Sequence, residues 1–308
     1  MSPASRPLAR HRAAPSRQRG MAIIGALIVV AAASVATAAI MERQTLLADT
    51  LIGERDRAQA RWLLRGGLDW ARVILFDDMR HNNVTIKRAI WAQPIVGFEI
   101  SAPGDTRKAY FSGQIEDEQG KLNLWRLAEK GVVQPQELAA LERLTTILDL
   151  PATVAPAIAQ RVAEAQAGEN AAQAAPGLRT VQDLLSIRDM SPDIVLALAD
   201  YLTVVPEKTT INVNTASPEV LSAAIPGLDL ALARSTSFQR DQGFWFASSA
   251  DFFNRLNDPD IAAQNHVGVS SDWFKVTGEV SLDHASVDIQ ALLHRKAGGP
   301  PLIRWIKE

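Results

Sequence analysis

The sequence predicts an α+β fold: one long N-terminal helix packed on an antiparallel sheet, with a large all-helical domain of two helix-hairpin-helix-like units inserted into that sheet. Three observations predict it. Met21 to Met79 contains no proline and is rich in helix formers. Strand-like alternation occurs at Pro94–Asp117 and again from Phe274 onward. Between those stretches, alanine- and leucine-rich pieces are broken by Pro135, Pro151, Pro156, Pro176, Pro192, Pro206, Pro218 and Pro226.

The chain has 308 residues, of which 47% are apolar, enough for a buried core. Met1–Gly20 holds five arginines and no acid, so the formal charge of −2 divides into +5 on this leader and −7 on the rest. So acidic a body argues against general nucleic-acid affinity, which needs a basic face. The absence of cysteine excludes disulfides, thiolate nucleophiles and Cys-type zinc sites.

Met21–Met41 carries no charge, and at about 1.5 Å per residue it reaches roughly 30 Å, the thickness of a bilayer core. The arginine-rich flank precedes it and Glu42 follows it, so the positive-inside rule places residues 1–20 in the cytoplasm and the remainder outside. Ser34–Ala38 imitates a small-x-small signal cleavage site. The better fit is the Arg19-Gly20-Met21 junction, where the apolar helix starts directly after the basic residues. That junction resembles the class III leader of type IV pilins and pseudopilins. The likeness implies cleavage after Gly20, N-methylation of Met21 and retention of the apolar helix. In most pilins the fifth mature residue is a glutamate; here it is Gly25. An unpaired carboxylate in hydrocarbon is costly, so its absence suits a subunit with no neighbour to pair with on one side.

Residues 42–79 continue the helix, with Leu47, Leu51, Ala58 and Trp62, then Leu64, Leu68, Ala71 and Leu75, at helical steps. One stripe is expected to pack on the sheet. Gly66-Gly67 is expected to bend the helix or admit a strand closely. Residues 80–127 hold the first strands, Pro94–Ile100 and Lys108–Asp117, and then Asp117–Leu127, which turns at Gly120. The helical domain is expected over 128–268, with a mobile loop at Ala163–Gly177. Residues 269–308 complete the sheet. Phe274, Val276, Gly278 and Val280 share one strand face, and Val287, Ile289, Ala291 and Leu293 share a face of its partner across Asp283-His284. Leu302–Ile306 is the last, edge strand.

In Ile211–Phe253, Ser217 is an N-cap with Pro218 at the first helical position. Ile225-Pro226-Gly227 turns the chain into a second helix through Ala231–Arg240. This resembles a helix-hairpin-helix, and Leu178–Pro206 looks like another copy turning at Met190-Ser191-Pro192. Such hairpins bind DNA when turn glycines offer amides to a phosphate, which makes a membrane-anchored DNA-binding or DNA-uptake module the alternative reading. Asp229, however, stands where the second glycine belongs, and Asp189 begins the other turn. A carboxylate there repels a phosphate.

Taken in order, the basic leader, Gly20-Met21, Gly25, "ARWLLRGGLDWARVIL", "DEQGKLNL", "INVNTASPEVL" and "WFKVTGEV" are similar to the general secretion pathway protein K family, over nearly the whole mature chain. The resemblance implies a pilin-like fold with a large α-domain, at the tip of a type II secretion pseudopilus. Implied partners are the I- and J-type minor pseudopilins, the major pseudopilin, the prepilin peptidase and the inner membrane, with no nucleic acid. Asn123, Asn212 and Asn214 match the family's asparagines, and such amides near strand-to-helix corners satisfy backbone groups. Family members often carry Trp-x-Asp-x-Asp early in the α-domain and bind calcium, but Ile158–Gly168 lacks those aspartates. Asp251, Asp258 and Asp260 are carboxylates of the type calcium prefers, although a solvated loop explains them as well.

Signs of catalysis are few. His11, His81, His266, His284 and His294 form no metal spacing, and no Gly-x-Ser-x-Gly elbow occurs. The expected role is assembly without an enzymatic activity or cofactor. Trp70, Trp91, Trp125, Trp245, Trp273 and Trp305 are expected as packing anchors.

Overall fold

The structure, a computed structural model, describes residues 17–100, 108–167, 175–258, 261, 266–282, 285–296 and 298–308. It divides into two units, Met1–Asp56 and Arg57–Glu308. Helix α1 (Arg17–His81) belongs in part to each. It begins ahead of Met21 because arginine and glutamine extend a helix as readily as leucine.

In the first unit, Ile23, Ile24, Leu27, Ile28, Val29 and Val30 are all exposed, so the helix is apolar on every side. The two hydroxyls in the apolar run bond within it: Ser34 Oγ donates to Val30 O at 2.9 Å and Thr37 Oγ1 to Ala33 O at 2.8 Å. A hydroxyl satisfied by its own helix costs little in hydrocarbon. This helix is long and apolar enough to cross a membrane.

The second unit is built on a five-stranded antiparallel sheet of β1 (Ile95–Glu99), β2 (Tyr110–Asp117), β3 (Trp273–Leu282), β4 (Ala285–His294) and β5 (Leu302–Lys307), side by side in that order. In the β3–β4 pair Phe274 faces Leu293, Val276 faces Ala291, Gly278 faces Ile289 and Val280 faces Val287. The two alternating stripes therefore lie in one layer, as their period of two requires. The Asp283-His284 turn lies outside the described residues. β5 is an edge strand, as expected.

Leu64, Leu68, Ala71 and Leu75 of α1 are buried in one cluster with Phe274, Val276, Val280, Ile289, Ala291 and Leu293. Each large apolar side chain so covered contributes about 2 kcal/mol. Of the two expected stripes only this one is covered; Leu47, Leu51 and Trp62 stay exposed. The paired glycines divide in the same way. A Cβ on Gly67 would stand 2.7 Å from the Phe111 ring, which also lies over Gly113 and Gly278, whereas a Cβ on Gly66 would meet nothing within 4 Å. Gly67 thus admits the strand, and α1 continues as one helix through the pair.

β2 and β3 are hydrogen-bonded neighbours, with Asp117 opposite Phe274, yet residues 118–272 separate them in sequence. The excursion is wider than the expected 128–268 because 3₁₀ turns at Glu118–Gly120 and Leu124–Leu127 flank a two-residue strand instead of opening a helix. It contains α2 (Pro135–Ile147), α3 (Val154–Gln166), α4 (Pro192–Leu198), α5 (Pro218–Ala224), α6 (Leu230–Asp241) and α7 (Ser249–Leu256). They enclose a second core that includes Leu144, Ile158, Leu184, Leu198, Leu221 and Phe252. Of the expected mobile loop, residues 163–166 end α3 and 168–174 lie outside the described residues. The earlier hairpin-like copy differs from expectation. Its first arm, Val181–Ser186, is a 3₁₀ helix, wound tight where Asp183 Oδ2 accepts from the amides of Arg179 and Thr180 at 2.7 and 3.0 Å.

Gly67→Ala is expected to lower the unfolding free energy of the detergent-solubilised full chain by about 1–3 kcal/mol, because the Phe111 ring is hemmed in by glycines on both layers. Gly66→Ala, one residue away, is expected to leave it unchanged or raise it by up to about 1 kcal/mol. Urea unfolding of the two variants side by side checks the contrast.

Candidate functional site

Two regions contain the residues singled out by sequence. The first is the start of α1. Gly20, Met21 and Gly25 all lie on it, exposed, and a Cβ on either glycine would meet nothing within 4 Å. Among the described residues no contact requires glycine at 20 or 25.

The second is the splice where the helical excursion leaves and rejoins the sheet. Asn123, Asn212 and Asn214 are all buried there. Asn123 Oδ1 accepts from the amides of Trp125 and Val205, both at 3.1 Å, and its Nδ2 donates to Val205 O at 3.1 Å and Glu207 O at 2.8 Å. It thereby caps one 3₁₀ turn and holds the segment at Val205, 82 residues later. Asn214 does the same over a shorter distance, exchanging bonds of 2.8 and 2.9 Å with the N–H and C=O of Phe246. Asn212 Nδ2 reaches Thr85 O at 3.0 Å, Asp117 Oδ2 at 3.0 Å and Ser271 Oγ at 2.9 Å, while its Oδ1 accepts from the Asn214 amide at 2.9 Å.

Asp117, the last residue of β2, is the acceptor at the centre. Its Oδ2 takes bonds from Ser271 Oγ and Thr215 Oγ1, both at 2.6 Å, as well as from Asn212, and its Oδ1 caps Gln119 N at 2.8 Å. Burial pushes its carboxyl above the usual carboxylate range despite the four donors. Every residue that follows has a fixed role. Glu118 bonds to Thr203 and pairs with Lys121, whose ammonium also pairs with Glu116 at 3.0 Å. Gln119 bridges Asp272 N and Thr210 O. Gly120 passes so close to Thr215 that a Cβ would stand 3.0 Å from its Oγ1 and 3.1 Å from its carbonyl carbon.

Sequence reasoning missed four members of this network: Asp78, Thr85, Ser271 and Arg295. Arg295 is 4% exposed; its guanidinium donates to Asp78 Oδ2 at 2.9 Å, Thr85 Oγ1 at 2.9 Å and Ser271 O at 2.6 Å, and lies over the Phe274 ring. These contacts join the end of α1 to the splice. Asp117 and Thr215 carried a signal only as letters of "DEQGKLNL" and "INVNTASPEVL".

Other expectations meet a plainer use of the same residues. Asp229 Oδ1 accepts from Leu232 N at 2.7 Å as the N-cap of α6, and Ser217 and Ser191 cap α5 and α4. The carboxylate in the hairpin turn therefore serves the helix and leaves no cradle for a phosphate. Asp251 is held by Arg255 at 2.7 Å and by the Ala247 amide, Asp260 lies outside the described residues, and Ile158–Gln166 belongs to α3 with Ile158 and Val162 buried. Among the described residues no group of three His, Asp or Glu side chains could hold a metal ion. Trp91 and Trp273 are core residues, but Trp70 and Trp245 are substantially exposed and do not fit the packing role expected of them.

Asn212→Ala is expected to destabilise the full chain by about 3 kcal/mol, since it strands the Thr85 carbonyl, the Asn214 amide and part of the Asp117 shell in a buried place; urea unfolding reads this. Asp117 gives a signed pH dependence. Its folded pKa lies above the unfolded one, so the native state binds more protons in that window and stability falls as pH rises through it. As pH rises from about 4, the ordinary aspartate value, the wild type is expected to lose stability relative to Asp117→Asn, which does not titrate. A wild type that instead gains on Asp117→Asn as pH rises would contradict this.

Two sequence profiles described as Type II secretion system (T2SS), protein K match residues 120–207 and 211–270, on either side of the turn that leads to Asn212. The type II secretion system protein K of Pseudomonas aeruginosa is 28% identical over 307 residues, covering 91% of this chain and 90% of that protein. Among solved structures, that of the GspK–GspI–GspJ complex from the type 2 secretion system of enterotoxigenic Escherichia coli contains a chain with a TM-score of 0.64 at 17% identity, covering 82% of this chain and 97% of that one. The long helix, the spliced antiparallel sheet and the family motifs thus agree with the profiles, and over nearly its whole length the chain is similar to type II secretion system protein K.

Proposed function

We propose that this chain is the minor pseudopilin at the tip of a type II secretion pseudopilus, acting by assembly and not by catalysis. The observation that carries the reading is a pilin-like helix and sheet whose neighbouring strands β2 and β3 are separated by the whole helical excursion. A filament of packed helices can accommodate such a bulk only where no further subunit has to stack on it, which is the end. In the cell, prepilin peptidase cuts after Gly20 and Met21 becomes the methylated amino terminus. The apolar helix then holds the chain in the inner membrane with residues 42–308 outside the cytoplasm. I- and J-type minor pseudopilins, the counterparts of GspI and GspJ in the similar Escherichia coli complex, are the immediate neighbours, and the major pseudopilin extends the filament below. Gly25 leaves this subunit without the carboxylate that a pilin uses on a neighbour's amino terminus, as befits the first subunit of a filament.

Intact mass of the chain from a secreting cell is expected to correspond to a methylated polypeptide beginning at Met21. Replacing Gly20 with a bulkier residue is expected to keep the first twenty residues attached and abolish secretion of a reporter substrate, while Gly25→Glu still inserts in the membrane. A mature chain beginning beyond Ala38, or normal secretion with the leader uncut, would overturn the reading.

A further inference from the structure

The strongest unexplained feature is a groove of about 630 Å³ between α1 and β1, lined by Trp62, Gly66, Trp70, Ile95, Phe98 and Phe111 with no charged residue among its walls. Trp62, Trp70 and Phe98 are 72%, 51% and 61% exposed, too much for aromatic rings whose purpose is internal packing. Trp62, Gly66 and Trp70 follow one another at i+4, about 6 Å apart along the helix. Gly66 lies between the two rings, and among the described residues nothing gives a reason for glycine there, although glycine costs a helix about 1 kcal/mol relative to alanine. The missing side chain leaves a hole between two tryptophan walls, the shape that receives a knob from another helix.

The surroundings select the occupant. β1 is an edge strand, but its pairing is interrupted between Ile95 and Phe98, with Gly97 at φ 61°, so the edge is unfit for strand addition. Arg61 and Arg65 lie on the helical row beside the notch. Arg61 and Arg65, half exposed, share the single Glu308 carboxylate at 3.8 and 3.7 Å, and Arg65 stands over the Trp62 ring. A second copy would bring hole to hole and arginine row to arginine row, which is unfavourable on both counts.

We infer that the Trp62–Gly66–Trp70 notch is the socket for a helix of a sibling minor pseudopilin, which inserts one bulky apolar side chain opposite Gly66 and sets acidic side chains against Arg61 and Arg65. This rests on the pseudopilin reading above.

The test co-purifies the full chain, in detergent micelles, with the I- and J-type minor pseudopilins of the same organism. Gly66→Leu fills the socket; it is expected to cut the recovered complex at least tenfold without lowering the melting temperature of the isolated chain. A photoreactive benzoyl-phenylalanine in place of Trp62 is expected to cross-link to a helix of one sibling. Undiminished complex with Gly66→Leu, or cross-links only to lipid or to a second copy of this chain, would overturn the socket while leaving the pseudopilin reading intact. Failure of the wild-type chain to form any complex with the siblings would overturn that reading and the socket with it. Should Gly66→Leu unfold the chain, the cross-link partner and the recovery with Gly66→Ala decide the matter.

Discussion

The body of this protein depends on satisfying buried backbone groups at the place where a sheet is cut open. Neighbouring antiparallel strands usually need only a short turn between them. Here β2 and β3 part at Asp117 and Trp273 and a helical domain departs through the gap, so the chain crosses the interior twice with only two-residue pairings, Leu122–Asn123 with Leu202–Thr203 and Ile211–Asn212 with Val267–Gly268, to satisfy its backbone. Each amide and carbonyl left there must find a partner or cost a few kcal/mol. Side chains provide the partners: Asn123 takes both backbone groups of Val205, Asn214 both of Phe246, and Asn212 joins Thr85 and Asn214 to Asp117. Asparagine suits the task because one planar amide donates and accepts at once, as the backbone does. The buried Asp78–Arg295 pair extends the same network to the end of α1, so helix, sheet and insert are fixed by one set of contacts.

How much of this could be read in advance follows from the range of each interaction. The β3 and β4 faces were legible because a period of two fixes which side chains share a side. The helix caps were legible because Ser191-Pro192 and Ser217-Pro218 act within four residues. The buried stripe of α1 was half legible: periodicity finds an apolar face, but it cannot say which faces a sheet of the same chain covers and which it leaves bare, as at Trp62. The splice was legible only as motif letters. Thr85 meets Ser271 across 186 residues and Arg295 across 210, and a polar side chain at such separations leaves no pattern in its neighbourhood. The 3₁₀ arm at Val181–Ser186 escapes apolar spacing because Asp183 closes on the two preceding amides, a local competition that such spacing does not record.

Helix α1 meets two solvents and its sequence changes accordingly. Over Met21–Met41 it is apolar on all sides, with Ser34 and Thr37 bonded inward, as suits hydrocarbon. From Leu64 to Leu75 it is apolar to a sheet on one side only, with arginines on the other. The two glycines within this second part have different causes. Gly67 is required by the Phe111 ring of the same chain, and Gly66 by nothing among the described residues.

The helical insert shows how a shape can be kept while its usual chemistry is absent. A helix-hairpin-helix offers a phosphate the free amides at a helix start, helped by the dipole and by glycines that let the backbone come near. In α6 the amide that such a site would present is already bonded to the Asp229 carboxylate, and in α5 and α4 it is bonded to Ser217 and Ser191. What the hairpin retains is its apolar interior. Val220, Leu221, Ala223, Ile225, Leu228 and Ala233 are all buried, so the two arms and their turn close on one another and on α2. Small residues at Ala223 and Ala233 let the arms approach, and the capping groups keep their ends from fraying without an external anion. The motif therefore works as a compact unit of packing and adds bulk to the fold.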